Sequence, residues 1–370
     1  MTIFISIPWF LPAYKAGGPI QSIANLANNF SENVEYFIFC GDTDLNSEPL
    51  QNIIKGEWLL YNNHTKIWYA QQENLSETLA AQIEFLKPDA LYIIGLFNWH
   101  FNIVPLLFCK SGKKILSVRG MLHPGALSQK RWKKRVFLTG LKLSGVARKT
   151  IFHATDETEA AFIKKKFGEK ATISIAGNFP KSIIKKEPPN KDAGSLQMLT
   201  IALISPMKNH LEVLKALMFC KGNISYNIYG PIKDAAYWEL CIKQAELLPQ
   251  NVHVHYIGEI LPDQVETMLA QNHVFVMPSK SENFGHALVE ALSAGKPVIT
   301  SHATPWNDLQ QNKAGINVEP TENAIAAAIN FFTSLHNDEY KIYAEAAGSY
   351  AENKLNLPEK MESYRKLFFD

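Results

Sequence analysis

One stretch constrains this chain more than any other: Met277 to Ser301, reading MPSKSENFGHALVEALSAGKPVITS. The β-rich apolar run His273-Val274-Phe275-Val276-Met277 leads into it, and a polar turn follows from Pro278 to Asn283. A helical pattern then runs from Phe284 to Ala294, with apolar residues at 284, 287, 288, 291 and 292. Gly295 stops it, and Pro297-Val298-Ile299-Thr300 reads as a second buried strand. The pattern predicts a strand–loop–helix–strand unit of a parallel sheet, with its loop at a strand's carboxyl end, where such sheets bind ligands. The backbone N–H groups at the helix start, around Phe284-Gly285-His286, suit a phosphate. Glu282 sits at the mouth and Glu290 about two helical turns further on. Ionised carboxylates accept hydrogen bonds from hydroxyls, so the pair fits a polyhydroxyl ligand.

The pattern Pro-Ser-x-Ser-Glu-x-Phe-Gly over 278–285, Glu290-Ala291 and Gly-x-Pro-Val-Ile-x-Ser over 295–301 resembles the donor-site signature of retaining glycosyltransferases of family four. The resemblance covers nearly the whole chain and is strongest over 198–320. It implies an α/β chain of the GT-B type, two Rossmann-like parallel-sheet domains facing across a cleft. Residues 1–177 would form an N-terminal acceptor domain, 178–196 a linker and 197–352 the nucleotide-sugar donor domain. A last segment, 353–370, would return as a helix to the first domain.

Length agrees, since 370 residues suggest two or three domains. Apolar content of 46% is ordinary for soluble globular chains. The four cysteines show no Cys-x-x-Cys spacing, which argues for reduced thiols, a cytosolic setting and no structural zinc. No basic segment precedes the strand-like Thr2–Ile7, so no signal peptide is expected. Ala90 to Cys109 lacks charge, but Asn98, His100, Asn102 and Pro105 in it are unfavourable in hydrocarbon, so it reads as a strand, a loop and a buried helix start.

Net charge is +2, unevenly distributed. Ala90–Thr155 contains no Asp or Glu and twelve Lys or Arg, leaving 25 basic against 35 acidic residues elsewhere. That imbalance points to an anionic partner for the N-terminal half. Within it, Lys130–Lys149 begins densely basic, carries Trp132, and continues with Val136, Phe137, Leu138, Leu141 and Leu143. A basic, aromatic-bearing amphipathic helix suits an anionic membrane surface, with part of the helix packed on the sheet. No recognised nucleic-acid-binding motif accompanies it. The expected location is the inner face of the cytoplasmic membrane, as a peripheral protein close to a lipid-linked acceptor.

Other site residues follow from the resemblance. Gly17-Gly18, before a helix pattern, matches a loop that faces the donor diphosphate. Lys208 matches a lysine on that diphosphate, while Leu203 stands where relatives commonly carry an arginine. Gly230-Pro231 matches a donor-site turn, and the base would lie near Gly258. Asn283, Phe284, Gly285, His286 and Glu290 complete the donor contacts. Arg119, in Arg-Gly-Met-Leu-His-Pro-Gly-Ala-Leu (119–127), could neutralise leaving-group charge or serve structurally. The Arg-Gly-Met-Leu run resembles a bacterial surface-polysaccharide branch, O-antigen or capsule, of the family. His100 and His123 are candidates to touch acceptor or donor sugar. Asp42-Thr43-Asp44 has a spacing that binds metal in a different glycosyltransferase fold, but after this strand it reads as turn residues, and no metal cofactor is expected.

The implied activity is transfer of a hexose-type sugar from a UDP- or GDP-linked donor to a saccharide acceptor, with retention. Glu282 would orient donor hydroxyls, Glu290 the ribose, and Lys208 the leaving diphosphate. A sugar-nucleotide epimerase of the same architecture and an inactive nucleotide-sugar-binding scaffold are the alternatives.

Overall fold

The computed structural model describes all of residues 1–370 except Ala16, Ser111, Gln129, Lys130, Ser182 and 184–186. Lys130, expected at the start of the basic helix, and part of the expected linker thus lie outside the described residues. The chain divides into two compact units, Met1–Phe179 with Leu357–Asp370, and Pro180–Asn356.

The first unit is built on eight strands: β1 (Thr2–Ser6), β2 (Glu35–Gly41), β3 (Trp58–Asn62), β4 (Thr65–Ala70), β5 (Ala90–Ile94), β6 (Lys113–Ser117), β7 (Ile151–Ala154) and β8 (Ile173–Ile175). Their order is β3-β4-β2-β1-β5-β6-β7-β8. Every pairing is parallel except β3 with β4. Continuous apolar runs such as Ile3-Phe4-Ile5 and Leu91-Tyr92-Ile93 make central strands buried on both faces. One face packs on helix Gly18–Asn29 and on the last helix, Leu357–Phe369, through Phe30, Tyr364, Leu367 and Phe368. The other face meets helix Leu75–Leu86 and the short helical turns over 99–107. Sequence patterning misses β3. It is an edge strand in a tight hairpin, with Leu60 exposed and Trp58, Leu59 and Tyr61 only partly buried.

The second unit holds six parallel strands: β9 (Ser195–Ile201), β10 (Asn223–Tyr229), β11 (Val252–Gly258), β12 (Val274–Met277), β13 (Val298–Ser301) and β14 (Gly315–Val318). Their order, β11-β10-β9-β12-β13-β14, is the doubly wound Rossmann order. Helices His210–Leu217, Ala235–Ala245 and Glu322–Ser334 cover one face, and Val265–Ala270, His286–Ser293 and Asn337–Leu355 the other. The winding reverses between β9 and β12. The loops after those strands therefore leave the carboxyl edge side by side, which opens a crevice there. Lys191, almost fully buried, donates to the carbonyls of Asp192, Thr333 and Leu335 and pins the segment entering β9 to the end of helix Glu322–Ser334.

Candidate functional site

At the β9–β12 reversal the two loops are joined through backbone and side chains. Lys280 N–H donates to Met207 O at 2.9 Å. Asn209 takes the left-handed conformation, φ 65°, and turns the chain into helix His210–Leu217, so that Lys208 stays at the loop tip. The Lys208 ammonium donates to Glu282 Oε1 in a short ion pair. Ser279 Oγ donates to the same oxygen at 2.8 Å, and Glu282 N–H donates to Ala303 O at 3.0 Å. Ser279 is itself buried, its carbonyl accepting from Ser301 Oγ. Glu282 is thus positioned from the loops after β9, β12 and β13 while its side chain stays 11% exposed, beside a Lys208 side chain 21% exposed. A cation and a carboxylate at one strand edge can hold a phosphate and a hydroxyl at adjacent points. The ammonium has three donors and can serve Glu282 and an anion together.

The helix expected to begin at Phe284 begins at His286, with Gly285 as its N-cap in the left-handed region, φ 74°. A Cβ at Gly285 would meet Leu288 Cδ1 at 2.9 Å as well as adopting that strained conformation. The reason for the later start is Trp306. Its Nε1 donates to Phe284 O at 2.8 Å, and its ring packs against the Phe284 ring, which also lies on His286. Phe284 therefore anchors the loop, and Gly285 precedes the first-turn N–H groups that a helix cannot pair internally, groups that can hold an anion.

Gly230-Pro231 and Gly258 close the neighbouring side. Gly230 has φ 134°, and a Cβ there would lie 1.9 Å from Ala202 O, so only glycine lets β10 end against the loop after β9. Its N–H donates to Gly258 O at 2.7 Å, its carbonyl accepts from Tyr256 Oη at 2.9 Å, and Pro231 O accepts from Ile204 N–H. Glu290 keeps some solvent access, yet burial raises its carboxyl to about 7; nearby Lys181 pulls it down and Glu266 pushes it up. Lys181 Nζ donates to Pro262 O at 2.7 Å. Next to Pro262 lies a cavity of about 370 Å³, lined by Tyr229, Ile257, Glu259, Asp263, Thr267 and Met268 among others.

The first unit's candidates do not form one cluster. Gly17, φ 75°, caps helix Gly18–Asn29 with open space where a side chain would be. The loop before it is stapled by Asp44, whose Oδ2 accepts from Tyr14 N–H at 3.0 Å and Lys15 N–H at 3.2 Å while Oδ1 accepts from Leu45 N–H. Asp42 pairs with Lys55 at 2.7 Å. Both aspartates are thus engaged with protein partners. No His/Cys/Asp/Glu group suited to a metal occurs among the described residues.

Arg119, at φ 48°, turns its guanidinium inward to Asn178 Oδ1 and Tyr92 Oη. Tyr92 continues to His153 Nδ1 at 2.8 Å, which also meets Ser117 Oγ at 2.9 Å. Burial, then the charge of Arg119, push His153 down to about 3, so it is neutral. The described partners of Arg119 are side chains rather than backbone carbonyls. His100 Nδ1 bonds Ser76 Oγ at 2.7 Å, and exposed His123 accepts from Gly125 N–H at 3.2 Å with its ring against Phe162. Neither contacts the other.

Helix Arg131–Leu143 has two apolar sides. Leu138 and Leu141 are buried with the β6–β7 core, whereas Trp132 (77% exposed), Val136 (69%) and Leu143 (81%) face out. At 100° per residue those three fall on one narrow stripe, with Arg131, Arg135 and Lys142 along one edge and Lys133 along the other. No helix among the described residues is long and apolar enough to cross a membrane.

Sequence reasoning misses Ser279, Lys181 and the cavity wall. Ser279 is visible only as a motif serine; its hold on Glu282 is a tertiary fact. Lys181 lies in a lysine-rich connecting segment with no local signal. Asp44 is read as a turn former, which it is, but its work on the Gly17 loop needs contacts 29 and 30 residues away.

Residues 182–353 match the family described as glycosyl transferases group 1. An O-antigen chain mannosyltransferase B of Escherichia coli is 29% identical over 157 residues, 40% of this chain and 39% of that protein. The match therefore spans well under two thirds of that relative. Among solved structures, Anabaena HepE in complex with UDP and glucose superposes with a TM-score of 0.75 at 15% identity, covering 99% of both chains. WaaG, a glycosyltransferase involved in lipopolysaccharide biosynthesis, gives 0.61 at 16% identity, covering 97% of this chain and 98% of that one.

Proposed function

We propose that this chain, whose residues 182–353 match the glycosyl transferases group 1 and which resembles O-antigen and lipopolysaccharide enzymes in a GT-B architecture, moves a hexose-type sugar from a UDP- or GDP-linked donor to a lipid-linked saccharide acceptor in cell-surface polysaccharide synthesis. The carrying observation is the Lys208–Glu282 pair at the winding reversal, beside the glycine-capped helix His286–Ser293.

The leaving group is a nucleoside diphosphate, so the transition state gains negative charge on phosphate. Lys208 and the N–H groups beyond Gly285 meet that charge with fixed donors, and no metal is needed for the purpose. Glu282 accepts from donor-sugar hydroxyls and Glu290 from the ribose. With Leu203 in place of a second cation, the ammonium and the helix start carry the diphosphate together. The acceptor hydroxyl attacks the anomeric carbon on the face from which the diphosphate leaves. Its proton passes to a phosphate oxygen, the carbon–oxygen bond to phosphate breaks, the glycosidic bond forms, and configuration is retained.

The outward stripe of helix Arg131–Leu143, with the acid-free segment around it, supports peripheral contact with the anionic inner face of the cytoplasmic membrane.

Incubation with UDP- and GDP-hexoses and a membrane lipid extract tests the reading. Acceptor-dependent release of nucleoside diphosphate is expected. An isomerised sugar nucleotide without acceptor would show an epimerase instead, and binding without turnover would show an inactive scaffold.

A further inference from the structure

We infer that the second unit selects guanine, and that the Asp263 carboxylate is the specificity-determining group; this rests on the nucleotide-sugar reading of the same unit. The cavity of about 370 Å³ lies where β10 and β11 end, at Tyr229, Ile257 and Glu259. Lys181, whose charge acts on Glu290, donates to Pro262 at the cavity's rim, and Glu266, also acting on Glu290, stands beside the lining residues Gln264 and Thr267. Glu290 and the cavity are therefore neighbours. A ribose held at Glu290 directs its base into this space.

The cavity has an apolar wall and an acceptor-rich edge. Tyr229, Ile257 and Met268 supply the wall, with Tyr229 Oη fixed on Met268 Sδ at 3.1 Å. Glu259, Asp263, Gln264 and Thr267 supply the edge, and no Lys, Arg or His is among the described residues that line the space. Asp263 is exposed and forms no hydrogen bond or ion pair with any described residue. Gln264 spends its side-chain carbonyl on Leu261 N–H at 3.2 Å, which leaves its amide NH₂ as a donor.

An ionised carboxylate only accepts, and its two oxygens match two adjacent donors. Guanine alone among the common bases presents such a pair on its pairing edge, N1–H beside the N2 amino group, with O6 as an acceptor suited to an amide NH₂. Uracil flanks its one N–H with two carbonyls, so one carboxylate oxygen would face a lone pair. Adenine and cytosine each present a single amino donor next to a ring acceptor.

Calorimetric titration of GDP, UDP, ADP and CDP into the full chain tests this, with wild type and Asp263→Asn compared after circular dichroism confirms equal folding. GDP is expected to bind at least tenfold more tightly than the others. Asp263→Asn is expected to weaken GDP about tenfold and leave UDP within twofold. UDP binding as tightly as GDP to wild type, or equal loss of both in the variant, overturns the guanine assignment alone. Binding of none of the four overturns the nucleotide-site reading, and this inference with it.

Discussion

Glu282 and Glu290 stand eight residues apart but in different electrostatic settings. Glu282 is held by Lys208 and Ser279, whereas burial lifts Glu290 to about 7. Their losses should separate. Glu290→Ala is expected to weaken nucleoside diphosphate binding about tenfold, roughly 1.4 kcal/mol, with turnover at saturating donor largely kept. Glu282→Gln is expected to leave affinity within threefold and cut turnover by about a hundredfold. Equal losses of affinity would contradict the division. The raised pKa adds a pH test. A folded carboxyl titrating above its unfolded value binds extra protons between about 4.5 and 7, so this group favours the unliganded fold at low pH and loses that contribution as pH rises through 7. The carboxylate is also the better acceptor for ribose hydroxyls, so affinity should rise from pH 6 to pH 8 and the rise should shrink in Glu290→Gln. At this scale the motif residues were legible because a glycine-preceded helix start and a Glu-x7-Glu spacing are local. Ser279's grip on Glu282 and the inward turn of Arg119 were not, since each depends on partners from other strands.

Helix Arg131–Leu143 shows what amphipathic patterning can and cannot say. Basic and apolar residues are plain in the sequence, but only packing tells that Leu138 and Leu141 go inward while Trp132, Val136 and Leu143 stay outside. Vesicle co-sedimentation tests the outward stripe. Binding to vesicles rich in anionic lipid is expected, weakening as salt rises. Arg135→Gln with Lys142→Gln should lose about 2 kcal/mol, roughly thirtyfold, and Trp132→Ser should weaken binding at every salt concentration. Salt-independent binding, or none to anionic vesicles, would remove the membrane role. The β10 end makes a second case at this scale. Gly230→Ala places a Cβ against Ala202 O and should cost roughly 3 kcal/mol or more in stability, read as a lowered denaturation midpoint. The missing strand is β3, an edge strand whose Trp58 packs on Phe4, Phe37 and Trp68 while Leu60 faces out.

The chain's last segment bears on the molecule as a whole. Leu357–Asp370 belongs to the first unit, where Tyr364, Leu367 and Phe368 fill the core with Phe30, Tyr92 and Phe179. Truncation after Asn356 should therefore strip hydrogen-exchange protection from β1, β2 and β5 while β9, β10 and β12 keep theirs; the reverse pattern would contradict the assignment. Tyr364→Ala alone should cost about 3–5 kcal/mol. The two-sheet architecture was legible from sequence through the family resemblance carried by residues 278–301. The family resemblance also implied that the final helix returns to the first unit, but the contacts that seat it there, Tyr364 on Phe30 and Phe179, are far apart in the chain.

The most direct measurement is the initial rate of acceptor-dependent nucleoside diphosphate release by Lys208→Gln, with the variant's fold checked by its unfolding midpoint. The pairing of Lys208 with Glu282 at the β9–β12 reversal predicts a fall of about a hundredfold to a thousandfold. A rate within threefold of wild type would show that sugar transfer takes place elsewhere in the molecule.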